Sequence, residues 1–151
     1  MATDVQFACS GNDFPTEILI KDWVSAALPR SQAHADLTIR IVDTEESHGL
    51  NLQYRGHDKP TNVLSFEADL PDGLELALLG DVVICAPVAA TEAAAQNKTV
   101  HAHFAHLVVH GTLHLLGYDH IDEGEATEME DLERRVLAEV GFADPYLGPD
   151  A

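Results

Sequence analysis

The strongest constraint on the fold is a set of three histidines in the last third of the chain. His110 and His114 are four residues apart, and His120 follows three residues after Gly117. On a helix, side chains four residues apart share one face, so both imidazoles can reach one metal ion. Gly117 can adopt a positive φ, which turns the chain back and brings His120 toward the other two. The spacing therefore predicts a three-histidine site with an open fourth position, which is typical of catalytic zinc.

The same spacing, His-x3-His-x2-Gly-x2-His, occurs in the metzincin proteases, but the residue after the first histidine differs. Those enzymes carry a glutamate there as general base, whereas this chain has Gly111. Glycine has no side chain to move a proton, so the metal site is predicted without the peptidase base. A different base or the metal-bound water would have to serve instead. Three imidazoles suit zinc, but nickel, copper and iron bind such ligands as well.

Further polar residues lie close to these histidines in the sequence. His106 is on the same helical stripe and is expected either to line the cleft and support a ligand or to be a structural histidine. His103, also on that stripe, is expected to be structural. Asp119 adjoins His120 and is expected either to orient an imidazole through its distal N–H or to be a simple turn residue.

Composition excludes one class of RNA-binding protein. The 151 residues suit one domain, residues 1–151, that buries its own core. With 26 acidic and 8 basic side chains, the formal net charge is −18. A nucleic-acid coat protein is therefore excluded, because its affinity comes from many lysine and arginine contacts with phosphate. A nuclease with a locally positive site remains compatible with this charge.

The cysteines and the first residues indicate a cytoplasmic protein. Cys9 and Cys85 are far apart and form no CxxC motif, so a disulfide framework is not expected. The chain starts with Met-Ala-Thr-Asp, which has neither the basic nor the apolar region of a signal peptide. No apolar run approaches the length of a membrane span.

Hydrophobic periodicity predicts an α+β fold, because strand and helix patterns interleave irregularly. Strands are expected at 5–9, 37–42, 62–66 and 79–85, and helices at 15–28, 44–54, 87–96, 101–116 and 124–140. The helix at 44–54 begins with Thr44 followed by two glutamates, which is typical of a capped helix N-terminus. Pro71-Asp72-Gly73 is expected to form a turn.

Three segments resemble the YbeY metalloproteins, which are bacterial endoribonucleases and rRNA maturation factors. The most specific is HLVVHGTLHLLGYDH at 106–120. YRGHDKPTNVLSF at 54–66 and LGDVVIC at 79–85 are similar to two further segments of that family. The resemblance covers most of the chain between about residues 36 and 142.

The resemblance implies a small sheet packed with helices and one zinc ion per chain, held by His110, His114 and His120. It also implies cleavage of single-stranded RNA, in maturing the 3′ end of 16S rRNA and in ribosome quality control. The functional arginine of the family maps onto Arg55, so Arg55 and His114 are the expected catalytic residues. At His57 members usually carry lysine, so one phosphate contact is either weaker here or dependent on pH near neutrality.

The side chain of Arg55 suits this role, because a guanidinium can form two parallel hydrogen bonds to a phosphate. Lys59 lies four residues on and is a second candidate, together with His57, for lining the cleft. The alternative for Arg55 is a surface ion pair with Asp58 or another acidic neighbour.

The negative net charge also indicates how the RNA substrate reaches the protein. Repulsion between this chain and RNA indicates that a ribosomal particle, with a basic ribosomal protein, delivers the substrate. Residues 119–151 are strongly acidic and are either a solvated helix face or a docking surface for such a protein. Two alternatives to the nuclease remain open: a non-catalytic, zinc-stabilised ribosome assembly factor and a metallopeptidase.

Overall fold

The computed structural model describes residues 2–11, 14–29, 35–68, 78–118 and 123–146. Within these ranges the chain forms four strands and five helices. In chain order they are β1 (Ala2–Ala8), α1 (Glu17–Ala27), β2 (Asp36–Val42), α2 (Thr44–Arg55), β3 (Val63–Glu67), β4 (Leu78–Cys85), α3 (Ala86–Ala95), α4 (Val100–Leu115) and α5 (Glu123–Glu139).

The strands form one mixed sheet in the order β1-β2-β4-β3. β1, β2 and β4 are parallel, and β3 runs antiparallel to β4 at the edge. The α+β class predicted from the sequence is confirmed. The predicted bounds of these elements agree with the structure to within three residues. The predicted turn at 71–73 lies outside the described residues.

The two faces of the sheet bury different sets of side chains, because successive residues of a strand point to opposite sides. Ile39 and Ile41 of β2 and Val82 and Ile84 of β4 belong to the main core, which also contains side chains from α1, α4 and α5. On the opposite face a smaller cluster forms around Val83 with side chains from α2 and α3. The long histidine-bearing helix α4 therefore packs on one face, and α2 on the other.

Local signals explain where α4 starts and stops. The Thr99 hydroxyl caps its N-terminus by accepting a hydrogen bond from the Ala102 amide, 3.0 Å away. At the other end Gly117 has φ of 101°, as its position in the sequence predicts. The amide of Tyr118 then donates to the Leu113 carbonyl at 3.1 Å, which satisfies one of the last carbonyls of the helix.

The start of α2 differs from the expectation of a side-chain cap. Asp43, not Thr44, is the N-cap residue, and its carboxylate makes no capping hydrogen bond. Asp43 Oδ2 instead accepts from the amide and hydroxyl of Ser10, at 3.1 and 3.0 Å. This acceptor is therefore used to hold the segment after β1. The expected glutamates remain in the first turn, where they favour the helix dipole.

The backbone of α4 approaches the sheet closely at Gly111. A Cβ placed there would lie 2.5 Å from Val82 Cγ1 and 3.3 Å from Ser65 Oγ. The Ser65 hydroxyl donates to the Gly111 carbonyl at 3.1 Å and links the edge strand to the helix. The position that carries a catalytic glutamate in metzincins therefore faces the core in this chain and has no room for a side chain.

One histidine of α4 is buried between α3 and α4. His103 is 3% exposed, and its Nε2 lies 2.9 Å from Glu92 Oε1, which also accepts from the Asn62 amide at 3.1 Å. Burial lowers the pKa of His103, and the nearby Glu92 carboxylate only partly opposes this. The structural role predicted for His103 agrees with this burial. Among the described residues, no helix is long and apolar enough to cross a membrane.

Gly111→Ala is expected to lower the free energy of unfolding by about 1–3 kcal/mol, because the added methyl group must displace Val82. Urea denaturation followed by circular dichroism measures the change. Gly49→Ala in α2 is the matched control, since a Cβ at that position meets nothing within 4 Å. Similar unfolding curves for the two variants would contradict the close approach of α4.

Acidification is expected to destabilise the wild type more than His103→Gln. The unfolded chain binds a proton at this histidine below about pH 6.5, whereas the folded chain resists protonation because its pKa is lowered by burial. The unfolded state then binds more protons, so stability falls as the pH drops below that value. Thermal unfolding between pH 7.5 and 5 measures the effect, and parallel curves for the two proteins would rule it out.

Candidate metal centre and cleft

Three histidines form a stripe along one side of α4. The ring centroids of His106 and His110 are 6.1 Å apart, and those of His110 and His114 are 4.7 Å apart. The helical repeat places them side by side, as the spacing predicts. All three side chains are partly exposed, so the stripe lies at the surface of the core rather than inside it.

A buried carboxylate from α5 lies against this stripe. Glu133 is 0% exposed, and its Oε1 forms a short hydrogen bond with His110 Nδ1. His106 Nε2 lies 3.7 Å from the same oxygen, and the Tyr146 hydroxyl donates to Oε2. Burial raises the pKa of Glu133, but the contacts from His106, His110 and Tyr146 outweigh it and lower that pKa to about 2. Glu133 is therefore ionised at neutral pH although it is buried.

The ionised carboxylate determines which nitrogen of His110 carries the proton. A carboxylate can only accept hydrogen bonds, so His110 Nδ1 must be the donor. His110 Nε2 is then the ring atom that can bind a metal ion. A carboxylate that receives the distal N–H of a metal-binding histidine is a common arrangement, because it fixes the ring orientation and increases its basicity.

The segment after α5 holds Tyr146 in place. Asp144 accepts from the Tyr146 amide at 2.8 Å and from Arg134 Nε at 2.9 Å, and the Arg134 guanidinium lies 5.2 Å from the Tyr146 ring centroid. Burial and the neighbouring Glu133 carboxylate both raise the pKa of Tyr146, so its hydroxyl stays protonated and donates to Glu133.

Metal-binding atoms converge at this place. His106, His110 and Glu133 each offer one ligand atom, and these three atoms lie within 4.8 Å of one another. The three residues can therefore hold a metal ion. Two of the predicted ligands, His110 and His114, are adjacent on α4. The third predicted ligand, His120, and the predicted orienting residue Asp119 lie outside the described residues.

Arg55 approaches His114, the last histidine of the stripe, from the other side of the edge strand. It is the last residue of α2, and Gly56, with φ of 73°, ends the helix directly after it. Arg55 Nη2 donates to the Ser65 carbonyl at 3.0 Å, and its guanidinium carbon lies 5.1 Å from the Phe66 ring centroid. An open cleft of about 460 Å³ is lined by Arg55, Ser65, Phe66, Glu67 and His114. The structure therefore brings together the two residues expected to be catalytic.

The other predicted cleft residues lie just beyond the end of α2. Arg55 donates to the carbonyls of Tyr54 and Ser65, and Asp58 pairs with His48 at 2.6 Å. These contacts therefore differ from the alternative of an Arg55–Asp58 ion pair. His57 and Lys59 are exposed. The Lys59 carbonyl accepts from the buried Asn51 amide at 2.8 Å, which fixes the backbone of this loop.

Sequence patterns did not indicate Glu133 or Tyr146 as residues of the site. One signal was available for Glu133. It lies among Met129, Val136 and Leu137, at the helical spacing of buried positions in α5. A charged residue at a core position is uncommon and requires a partner. Tyr146 follows the helix in an irregular segment and carries no such signal.

The fold and the site define a small α+β protein with a candidate histidine metal centre along α4 and an open cleft that Arg55 shares with His114. Residues 6–141, well over half of the chain, match the family model described as endoribonuclease YbeY. The chain belongs to this family, and the family predicted from the histidine segment is confirmed. Its members are RNA-cleaving hydrolases by that description.

Among solved structures, the chain is similar to the solution structure of TM1509 from Thermotoga maritima. The TM-score is 0.62 at 25% sequence identity, and the match covers 90% of this chain and 88% of that one.

Metal-binding measurements on three variants are expected to separate two possible ligand sets. His110→Ala should abolish zinc binding under either set. If Glu133 orients His110, Glu133→Gln should weaken zinc binding by about 10–100-fold, whereas His114→Ala should abolish it. Isothermal titration calorimetry with zinc alone measures these affinities. Loss of binding in Glu133→Gln combined with full binding in His114→Ala would instead assign the ion to His106, His110 and Glu133.

Proposed function

We propose that the protein is a zinc-dependent endoribonuclease that cleaves single-stranded RNA and acts in maturation of the 3′ end of 16S rRNA and in ribosome quality control. The observation that carries this proposal is the cleft that Arg55 shares with His114. A cation suited to phosphate and a metal-binding imidazole are then close enough to act on the same phosphodiester. Family membership supports the class of reaction.

The ligands proposed for the ion are His110, His114 and His120. The donor set fits zinc, because Glu133 directs the Nε2 atom of His110 away from its own carboxylate. Glu133 is the less suitable ligand: both its oxygens already accept hydrogen bonds, and it is 0% exposed. When bound, the ion would polarise a phosphoryl oxygen or lower the pKa of a water molecule.

Arg55 is proposed to bind the scissile phosphate. Its side chain is positioned by two neutral acceptors, the carbonyls of Ser65 and Tyr54, at 3.0 and 3.3 Å. These acceptors orient the guanidinium without cancelling its charge. The planar group can then form two parallel hydrogen bonds with phosphate and stabilise the charge that develops during cleavage. His57 and Lys59, in the exposed loop after α2, are proposed as additional weaker phosphate contacts.

The substrate is proposed to be presented by a ribosomal particle in the cytoplasm. A net charge of −18 opposes the approach of free RNA. The outer side of α5 carries several exposed acidic residues, including Glu125 and Glu128. This side is proposed to contact a basic ribosomal protein. Free RNA is then expected to be a poorer substrate than RNA in the particle.

Cleavage of a single-stranded RNA that spans the 3′ end of a 16S precursor tests the activity. The zinc-loaded wild type is expected to cut it, and His114→Ala or a chelator should abolish cleavage. Arg55→Glu should lower kcat/KM by about 10²-fold or more, because phosphate charge is no longer stabilised. Arg135→Glu on exposed α5 is the matched control, since it makes the same change of charge away from the cleft.

Two results would overturn parts of this proposal. Equal activity of Arg55→Glu and Arg135→Glu would remove Arg55 from the reaction. If the zinc-loaded protein cuts RNA neither free nor in ribosomal particles, while zinc still raises its unfolding temperature, the non-catalytic assembly factor becomes the better assignment.

A further inference from the structure

A second cavity lies on the α2 face of the sheet, next to the cleft. Its volume is about 490 Å³, within the range of pockets that hold small organic ligands. Two neighbouring cross-strand rows supply its floor. In one row, Asp81 of β4 pairs with Thr38 of β2 on one side and with Phe66 of β3 on the other. In the next row, Arg40 of β2 pairs with Val83 of β4.

The cavity and the cleft share one aromatic side chain. Phe66 lines both spaces. The Tyr54 ring packs edge-to-face on it, with centroids 5.2 Å apart, while the Arg55 guanidinium lies over the Phe66 ring at 5.1 Å. Tyr54 is 54% exposed although it is a large aromatic residue. A chain whose phosphate contacts Arg55 would therefore bring its adjacent group to Tyr54 and Phe66.

The charges in the cavity indicate which chemical group, adjacent to the bound phosphate, could occupy it. Arg40 donates to both oxygens of Glu46 at 2.6 and 2.9 Å and to Gln6 Oε1 at 2.8 Å, so its charge is neutralised and its guanidinium is already occupied. Asp81 is an additional exposed carboxylate on the floor. A phosphate would be repelled here. An uncharged planar ring with N–H groups on its edge fits, because it can stack on the aromatic rings and donate to the acidic side chains.

We propose that this cavity is a nucleobase subsite, which binds the base next to the phosphate held by Arg55. The proposal rests on the proposed function of the cleft and deepens it. Single-stranded RNA is commonly recognised by stacking unpaired bases on aromatic side chains and by hydrogen bonds to their edges. In this arrangement Arg55 binds the backbone, whereas Tyr54 and Phe66 bind the base. The edge strand β3 separates the metal centre from the base.

Binding and cleavage by two variants test the subsite. Tyr54→Ala removes the exposed ring, and Thr38→Tyr fills the cavity from the middle of β2 without altering Arg55. Each is expected to raise KM for a short single-stranded RNA about tenfold, in line with the loss of one stacked base. Tyr54→Phe should retain the wild-type KM. Leu52→Ala is the control, because Leu52 is 48% exposed on α2 but does not line the cavity.

RNAs that lack a single base show which nucleotide places its base in the cavity. RNAs with a single abasic residue at successive positions around the cut site are compared. Replacement at the one position that occupies the cavity should raise KM for the wild type, but have little further effect in Thr38→Tyr. The same RNAs, measured by fluorescence anisotropy on full-length protein carrying His114→Ala, give affinities without turnover. Circular dichroism confirms that each variant is folded.

The outcomes separate this inference from the proposed function. If the wild type cuts RNA but Tyr54→Ala and Thr38→Tyr behave like Leu52→Ala, the cleft is an active site and the nucleobase subsite is wrong. If RNA binds in the cavity, with the expected loss in both variants, but is never cut, the subsite stands and the nuclease assignment fails. Equal effects of abasic residues in wild type and Thr38→Tyr would also overturn the subsite.

Discussion

The contact between the backbone of α4 and the sheet at Gly111 and Ser65 sets the geometry of the whole site. Without a side chain at residue 111, the helix comes close enough for its carbonyl to accept from the Ser65 hydroxyl at 3.1 Å. The carbonyl of the same serine accepts from Arg55 at 3.0 Å. One residue of the edge strand thus connects α2 to α4 through two hydrogen bonds. A shift of α4 would move the histidines relative to the arginine.

A buried carboxylate is expensive unless its hydrogen-bonding capacity is used. Glu133 meets that requirement with hydrogen bonds from His110 and the Tyr146 hydroxyl, and these bonds together with the nearby His106 ring keep it ionised. The same contacts orient two histidines of the stripe, His106 and His110. The cost of burying the charge is therefore linked to the order of the candidate metal centre. Residues from α4, α5 and the segment after α5 all contribute, so the site depends on the packing of these parts rather than on α4 alone.

Local sequence patterns predicted most of the fold. The site residues that they did not predict depend on contacts between distant segments of the chain. Apolar periodicity located the nine described elements. The i, i+4 spacing placed His110 beside His114. Both patterns follow from the repeat of the local backbone. Glu133 and Tyr146 join the site only through the packing of α5 on α4, which no local pattern specifies. The cap expected at α2 failed for a similar reason, since Asp43 binds Ser10 from a remote part of the chain. Arg55 was found by resemblance, but its partners in β3 were not.

An acidic protein that acts on RNA must obtain affinity from something other than total charge. Each phosphate contact contributes a salt-dependent gain, and one arginine supplies little of it compared with a coat protein that uses many. Stacking and edge hydrogen bonds do not require positive charge, and they become more selective when the surrounding surface repels RNA that is not correctly seated. The Tyr54–Phe66 pair beside Arg55 fits this requirement, because the proposed subsite uses one cation for the backbone and two rings for the base. In the proposed arrangement the negative surface acts against unspecific RNA, and binding would require a single strand that places a phosphate and an unpaired base at the same time.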